Sequence, residues 1–189
     1  MKQVSLLKAA AAIVVALTSV PILAQTSPID SLPGSDVQLN ATISESLTVS
    51  LNVAAVNFTL TPGSATNPGS TPISATTTWL LASGRTAVTL YAYFDTPTAA
   101  LTAGALQNIP SSAVSAAVGG TSVGTFSSAI AASTFSGTGV TIFSQPITSA
   151  NLGGSQVSTV TLNINLTGVS NLGAGTYTGT LHFRAEAAI

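Results

Sequence analysis

The residues best suited to nucleophilic chemistry in this sequence are Ser122 and His182. Gly120-Thr121-Ser122-Val123-Gly124 matches G-x-S-x-G, the pattern that holds a serine hydroxyl exposed on a sharp turn between a strand and a helix. Serine attacks when an imidazole takes its proton, and the imidazole needs an acid to orient it. His182 is the one histidine, and no acid lies between it and Ser122, so the order serine, acid, histidine is missing. Asp95, upstream, is left as the orienter only if the chain order differs. The stretch after Ser122 is rich in Thr, Ser and Phe, with at most a brief helical turn over 127–132. In a chain with 16 glycines the pattern arises readily by chance. A glycine-flanked turn with no catalytic residue is expected.

Metal and cofactor chemistry finds no donor set. There is no cysteine, and Asp30, Asp36, Glu45, Asp95 and Glu186 are scattered rather than spaced as in zinc or calcium-loop sites. Gly173, Gly175 and Gly179 approach a dinucleotide fingerprint, but the spacing is wrong and a strand pattern comes next instead of a helix. No cofactor and no metal is expected. Two groups suit contact rather than catalysis. His182, Arg184 and Glu186 share one strand face opposite Leu181, Phe183 and Ala185, which makes a solvated face or a contact patch. Tyr91 and Tyr93 share a face opposite Leu90, Ala92 and Phe94. With Trp79 they offer stacking platforms for a ligand if exposed, and core if not.

The composition narrows the partners. Only 5% of residues are charged, against about 25% in ordinary proteins. Met1–Ala24 has the order of a signal peptide: Lys2 and Lys8, an apolar run from Ala9, then Pro21 and a small Ala24 at the cleavage point. The apolar run is short for a membrane span, which needs roughly 20 residues. Cleavage leaves Arg85 and Arg184 as the only Lys or Arg cations, so nucleic-acid backbones and acidic membranes have nothing to grip. An exported domain without disulfides rests on its core, and a domain near this length buries about 70% of its unfolded surface. The location expected is extracellular, cell-surface or periplasmic.

The elements that position these residues read as strands. Gln25–Asp36 has two prolines and no periodicity, and reads as a flexible arm. Apolar and polar residues then alternate over Val37–Ile43, Leu47–Val53 and Val56–Leu60, with Ser44–Ser46 a turn or a bulge. Thr61–Pro72 is a Pro-Gly loop. Ile73–Leu81 and Thr86–Phe94 look like a hairpin turning at Ser83-Gly84. Short strands are expected over Ala113–Val118, Ser122–Phe126 and Val140–Phe143, and longer ones over Val157–Leu166 and Tyr177–Ala187. No segment is a sustained amphipathic helix. The pattern predicts an all-β, antiparallel Ig-like β-sandwich over residues 37–189, after the leader (1–24) and arm (25–36).

NATISESLTVSL (40–51), VNFTLTPG (56–63) and GAGTYTGTLHFRAEA (173–187) form a layout that resembles small secreted bacterial Ig-like β-sandwich proteins of the spore-coat-U and chaperone–usher pilin-like kind. Gly175–Leu181 is similar to their terminal strand. The chain departs from that pattern in having no disulfide and in ending on Ala188-Ile189 without an aromatic at the penultimate place. The resemblance implies a non-enzymatic structural, adhesive or fimbrial-type envelope protein. A carbohydrate- or ligand-binding module is the alternative. Partners expected are further copies or an envelope protein joined through strand edges. Val37–Ile43 is the segment most open to such pairing, within its own chain or with a neighbour.

Overall fold

The structure is a computed structural model and describes residues 38–104, 107–130, 132 and 136–189. The leader and arm read from the sequence lie outside the described residues. Residues 38–42 are exposed and carry no strand. The fold is built by residues 43–189.

Within it the described residues form β1 (Ser46–Leu51), β2 (Asn67–Pro68), β3 (Ile73–Leu80), β4 (Ala87–Phe94), β5 (Leu101–Thr102), β6 (Asn108–Ile109), β7 (Val114–Val118), β8 (Thr121–Thr125), β9 (Ser128–Ala129), β10 (Thr138–Pro146), β11 (Gly153–Ile164) and β12 (His182–Ala188). Among the described residues a single 3-10 turn, Ser111–Ala113, leads into β7. The first sheet has the order β1-β3-β11-β7-β8, with β2 on the end of β11; the second is β12-β4-β10-β9; β5 and β6 pair separately. Every pairing is antiparallel. This is the antiparallel β-sandwich that the alternation predicts.

Period-two patterning places the core. On β4, Val88, Leu90 and Ala92 are wholly buried, while Ala87, Thr89 and Tyr91 stay partly open. On β11, Val160, Leu162 and Ile164 point the same way, toward Ile73 and Ala75 of β3 and Phe126 behind β8. Trp79 joins Leu81, Val88 and Ile147 in a smaller cluster at one end.

Five expectations need correction. Ile73–Leu81 and Thr86–Phe94 are not a hairpin: β3 lies in the first sheet and β4 in the second. Residues 81–86 arch between the sheets, with Leu81 buried and its N–H bonded to the Leu152 carbonyl. Two strands with strongly apolar faces bury more by facing each other across a core than by lying side by side. No helical turn forms at 127–130; Ser128–Ala129 pairs with β10 instead. Val56–Leu60 forms no extended strand: Phe58 makes an isolated bridge to Gly69, and Asn57 exchanges hydrogen bonds with Ser70 beside it. The last strand starts at His182 rather than Tyr177, because Gly179 presses on the Ala100 backbone and Thr178 bridges Thr102. Residues 38–43 form no strand, and Leu39 and Ile43 are 89% and 82% exposed. Alternation gives a segment the capacity for a strand; a strand also needs a hydrogen-bonded neighbour.

Candidate functional site

Ser122 and His182 are kept apart by the sandwich. Ser122 lies on β8, at the edge of the first sheet that faces β10; His182 lies on β12, whose neighbour across the sandwich is β1. The glycines around Ser122 serve the backbone. Gly119 and Gly120, with φ of 56° and 86°, make the two-residue turn from β7 to β8. Positive φ at both positions is what a tight hairpin with the right twist requires. Gly124, at φ 110°, sits where the β7–β8 register slips by one residue. His182 Nε2 instead lies 3.2 Å from Asp95 Oδ2, and its ring stacks on Tyr93 with centroids 5.1 Å apart.

The five residues read as a contact patch do come together. His182 pairs with Tyr93 and Arg184 with Tyr91 across β12 and β4, and Glu186 lies one step further along, opposite Thr89. All five sit on the outer face of the second sheet. They do not present two open rings. Tyr93 is 6% exposed, covered where Gly137 and Gly139 leave room beside it. Trp79 is equally buried, on the inner face, with Nε1 donating to the Asn151 carbonyl at 3.1 Å. Tyr91 alone of the three remains half-open, in a cleft with Glu45 and Arg85. Gly173 and Gly175 line a groove wall, ahead of the close approach at Gly179.

Sequence reading misses two features. The first is a clasp at the start of β1. Arg85 donates from Nη2 to Glu45 Oε2 at 2.8 Å and from Nε to Oε1 at 3.1 Å, and the Ala82 N–H donates to Oε1 at 2.7 Å. The guanidinium, and then the amide, hold the Glu45 carboxyl at about 2, below its ordinary 4.5. A carboxyl whose value is depressed by folding contributes stability above pH 4.5 and loses it as pH falls toward 2. Glu45→Gln is therefore expected to flatten the fall in stability between pH 4.5 and 2, read by thermal melts across that range. A variant as acid-sensitive there as the parent would refute this role.

The second is an open seam. β1 and β12 are the outermost strands of their sheets and face each other along one side. A cleft of about 770 Å³ lies between Glu45–Leu47 and Ala185–Ile189. A groove of about 900 Å³ lies further along, walled by Leu51, Val53, Phe58, Leu181 and Phe183 and floored by Ile73, Phe94 and Leu162. Among the described residues no charged side chain lines the groove. Among the described residues no group of three or more His, Asp or Glu side chains is placed to hold a metal ion, and no helix is long and apolar enough to cross a membrane.

No protein-family model, no curated protein and no solved structure matches this chain.

Proposed function

We propose that this chain is a secreted, non-enzymatic structural subunit of a bacterial cell envelope, and that it binds neighbouring copies or envelope proteins through uncharged sheet surface and strand edges. The observation that supports this is the outer face of the first sheet. None of its strands contains a charged residue. Ser46, Thr48 and Ser50 of β1, Ser74, Thr76 and Thr78 of β3, and Ser155, Thr159 and Thr161 of β11 alternate outward. The register sets Thr48, Thr78 and Ser155 in one row, and the Thr78 and Ser155 hydroxyls meet at 3.2 Å. Leu80 and Val157 add exposed apolar surface at 42% and 57%.

Soluble sheet proteins usually guard such surfaces with lysines and like-charge repulsion. Here neither guard is present on the sheet, so close approach of another uncharged surface meets no electrostatic penalty. Hydroxyl rows supply donors and acceptors to whatever covers them. The test is native mass measurement and electron microscopy of the exported protein, beside a Thr76→Lys, Thr78→Lys variant. Assembly of the parent and monomers of the variant, with melting temperatures within a few degrees, are the expected results. A parent that stays monomeric at high concentration, or a variant that assembles equally well, would overturn the proposal.

A further inference from the structure

β12 is the outermost strand of its sheet, and the hydrogen bonds at its end show which backbone groups face outward. The Ala188 carbonyl turns toward β4 and accepts from the Thr86 N–H at 3.0 Å. The Ala187 carbonyl turns the other way and accepts from Arg85 Nη1 at 3.2 Å. Backbone groups alternate sides along a strand, so those of Phe183 and Ala185 share the side of Ala187. Among the described residues no strand pairs with β12 on that side. A row of N–H and C=O groups along a sheet edge is a template for another strand. We propose that β12 pairs with β12 of a second copy, antiparallel and across a two-fold axis at Ala185, joining the second sheets of the two copies into one. This rests on the reading that copies associate through strand edges, and it names the edge and the partner.

Faces and charges decide the register. Inner side chains must stay beside inner ones, so allowed slips move the axis from one residue of β12 to the next. An axis at Arg184 or at Glu186 sets that charge directly opposite its own copy. An axis at Phe183 sets Arg184 opposite the partner's His182. With the axis at Ala185, Arg184 stands opposite the partner's Glu186, and Glu186 opposite the partner's Arg184. Both pairs fall between the hydrogen-bonded positions, where facing side chains come closest. Opposite charges so placed stabilise a sheet, and like charges destabilise it. At the axis the Ala185 N–H donates to the partner's Ala185 carbonyl, and the partner's N–H returns the bond. On the core side Phe183 meets the partner's Ala187, a large group against a small one. Phe183, Ala185 and Ala187 are only half-buried within one copy, so the join covers apolar surface that a lone sandwich leaves part-open. One strand edge is a contact at the small end of the interface range, so the pair dissociates on dilution.

Charge exchange tests it in the exported Thr76→Lys, Thr78→Lys chain, whose lysines guard the hydroxyl face. Sedimentation is expected to show dimers of this chain at high concentration and monomers on dilution. Adding Arg184→Glu sets glutamates opposite glutamates, and adding Glu186→Arg sets arginines opposite arginines. Each is expected to weaken dimerisation by about tenfold or more, because like charges directly opposite destabilise a sheet. An equal mixture of the two variants places opposite charges at both positions again. It is expected to form mixed dimers about as tight as those of the starting chain. An ion pair within one chain cannot produce that rescue, and the rescue also shows that both variants are folded. A starting chain that is monomeric at every concentration, single variants that dimerise undiminished, or a mixture that stays monomeric would each overturn the proposal. Filaments of the parent beside a monomeric lysine chain would sink the β12 pair and leave the hydroxyl face standing. A parent that stops at dimers would do the reverse.

Discussion

Phe126→Ala is expected to lower the unfolding free energy by about 3–5 kcal/mol, the cost of deleting a fully buried phenyl ring and leaving a cavity. Phe126 is 0% exposed and meets Phe94 edge-to-face, with centroids 5.0 Å apart and planes at 67°. It plugs the core just after β8, where the outer strand would otherwise peel away. Its backbone N–H bonds to the Val114 carbonyl at 3.0 Å, and alanine keeps that bond, so the loss isolates the ring. Phe58 and Phe183 make the comparison. Both have strong strand-like settings in the sequence, yet both are half-buried on the groove. Truncating either is expected to cost about 1–2 kcal/mol, since less apolar area returns to water. Urea unfolding with an unchanged slope measures all three. Equal losses at 58 and 126 would mean that the groove is not open in solution.

The second large effect is at Asn67. This side chain is 1% exposed and fully used. Its Oδ1 accepts from the Thr61 N–H at 2.7 Å, while Nδ2 donates to the Ser64 carbonyl at 3.2 Å and the Ile164 carbonyl at 2.9 Å. Its own N–H donates to Asn163 Oδ1 at 2.9 Å. One amide thus ties the Pro-Gly loop to the end of β11. Asn67→Leu fits the volume but leaves the Thr61 N–H and the Ile164 carbonyl without their partner. Stranding buried polar groups costs about 1–3 kcal/mol for each, so a net loss of about 2–4 kcal/mol is expected. The loosening should be local first. The Thr61 and Leu166 amides, the latter bonded to the Ser64 carbonyl, should exchange faster even under native conditions. Stability unchanged to within about 0.5 kcal/mol would contradict this account, that being the ordinary effect of a surface substitution.

The sequence makes the strands of this fold easy to see and their partners hard to see. Leu47–Val53, Ile73–Leu81, Thr86–Phe94 and Val157–Leu166 alternate so regularly that β1, β3, β4 and β11 fall within a few residues of them. Alternation reports that one face is buried. It does not report which strand lies alongside. The hairpin expected at Ser83-Gly84 fails for that reason: turn residues fit an arch between sheets as well as a turn within one. Alternation puts Tyr91, Tyr93, His182 and Arg184 each on its correct face, but only the β4–β12 register makes them one surface. Burial of Tyr93 depends on Gly137 and Gly139, far along the chain, which a period of two cannot encode. The Glu45–Arg85 clasp joins residues forty positions apart and leaves no local trace.

The arch at 81–86 also bears on how fast this molecule can form. Because β3 and β4 do not pair with each other, β3 has only β1 beside it until β11 is available, and β4 waits for partners from much later in the chain. Ile73 meets Val160 and Ala87 meets Ala188, while among the described residues the close-range pairings are the tight β7–β8 turn and the short β5–β6 and β9–β10 pairs. Long loops must be closed before those pairings repay their entropy, which places folding in the millisecond-to-second range typical of sandwiches of high contact order. The second sheet is incomplete until the last residues are available. A chain emerging N-terminus first therefore cannot close its sandwich until nearly its whole length is available.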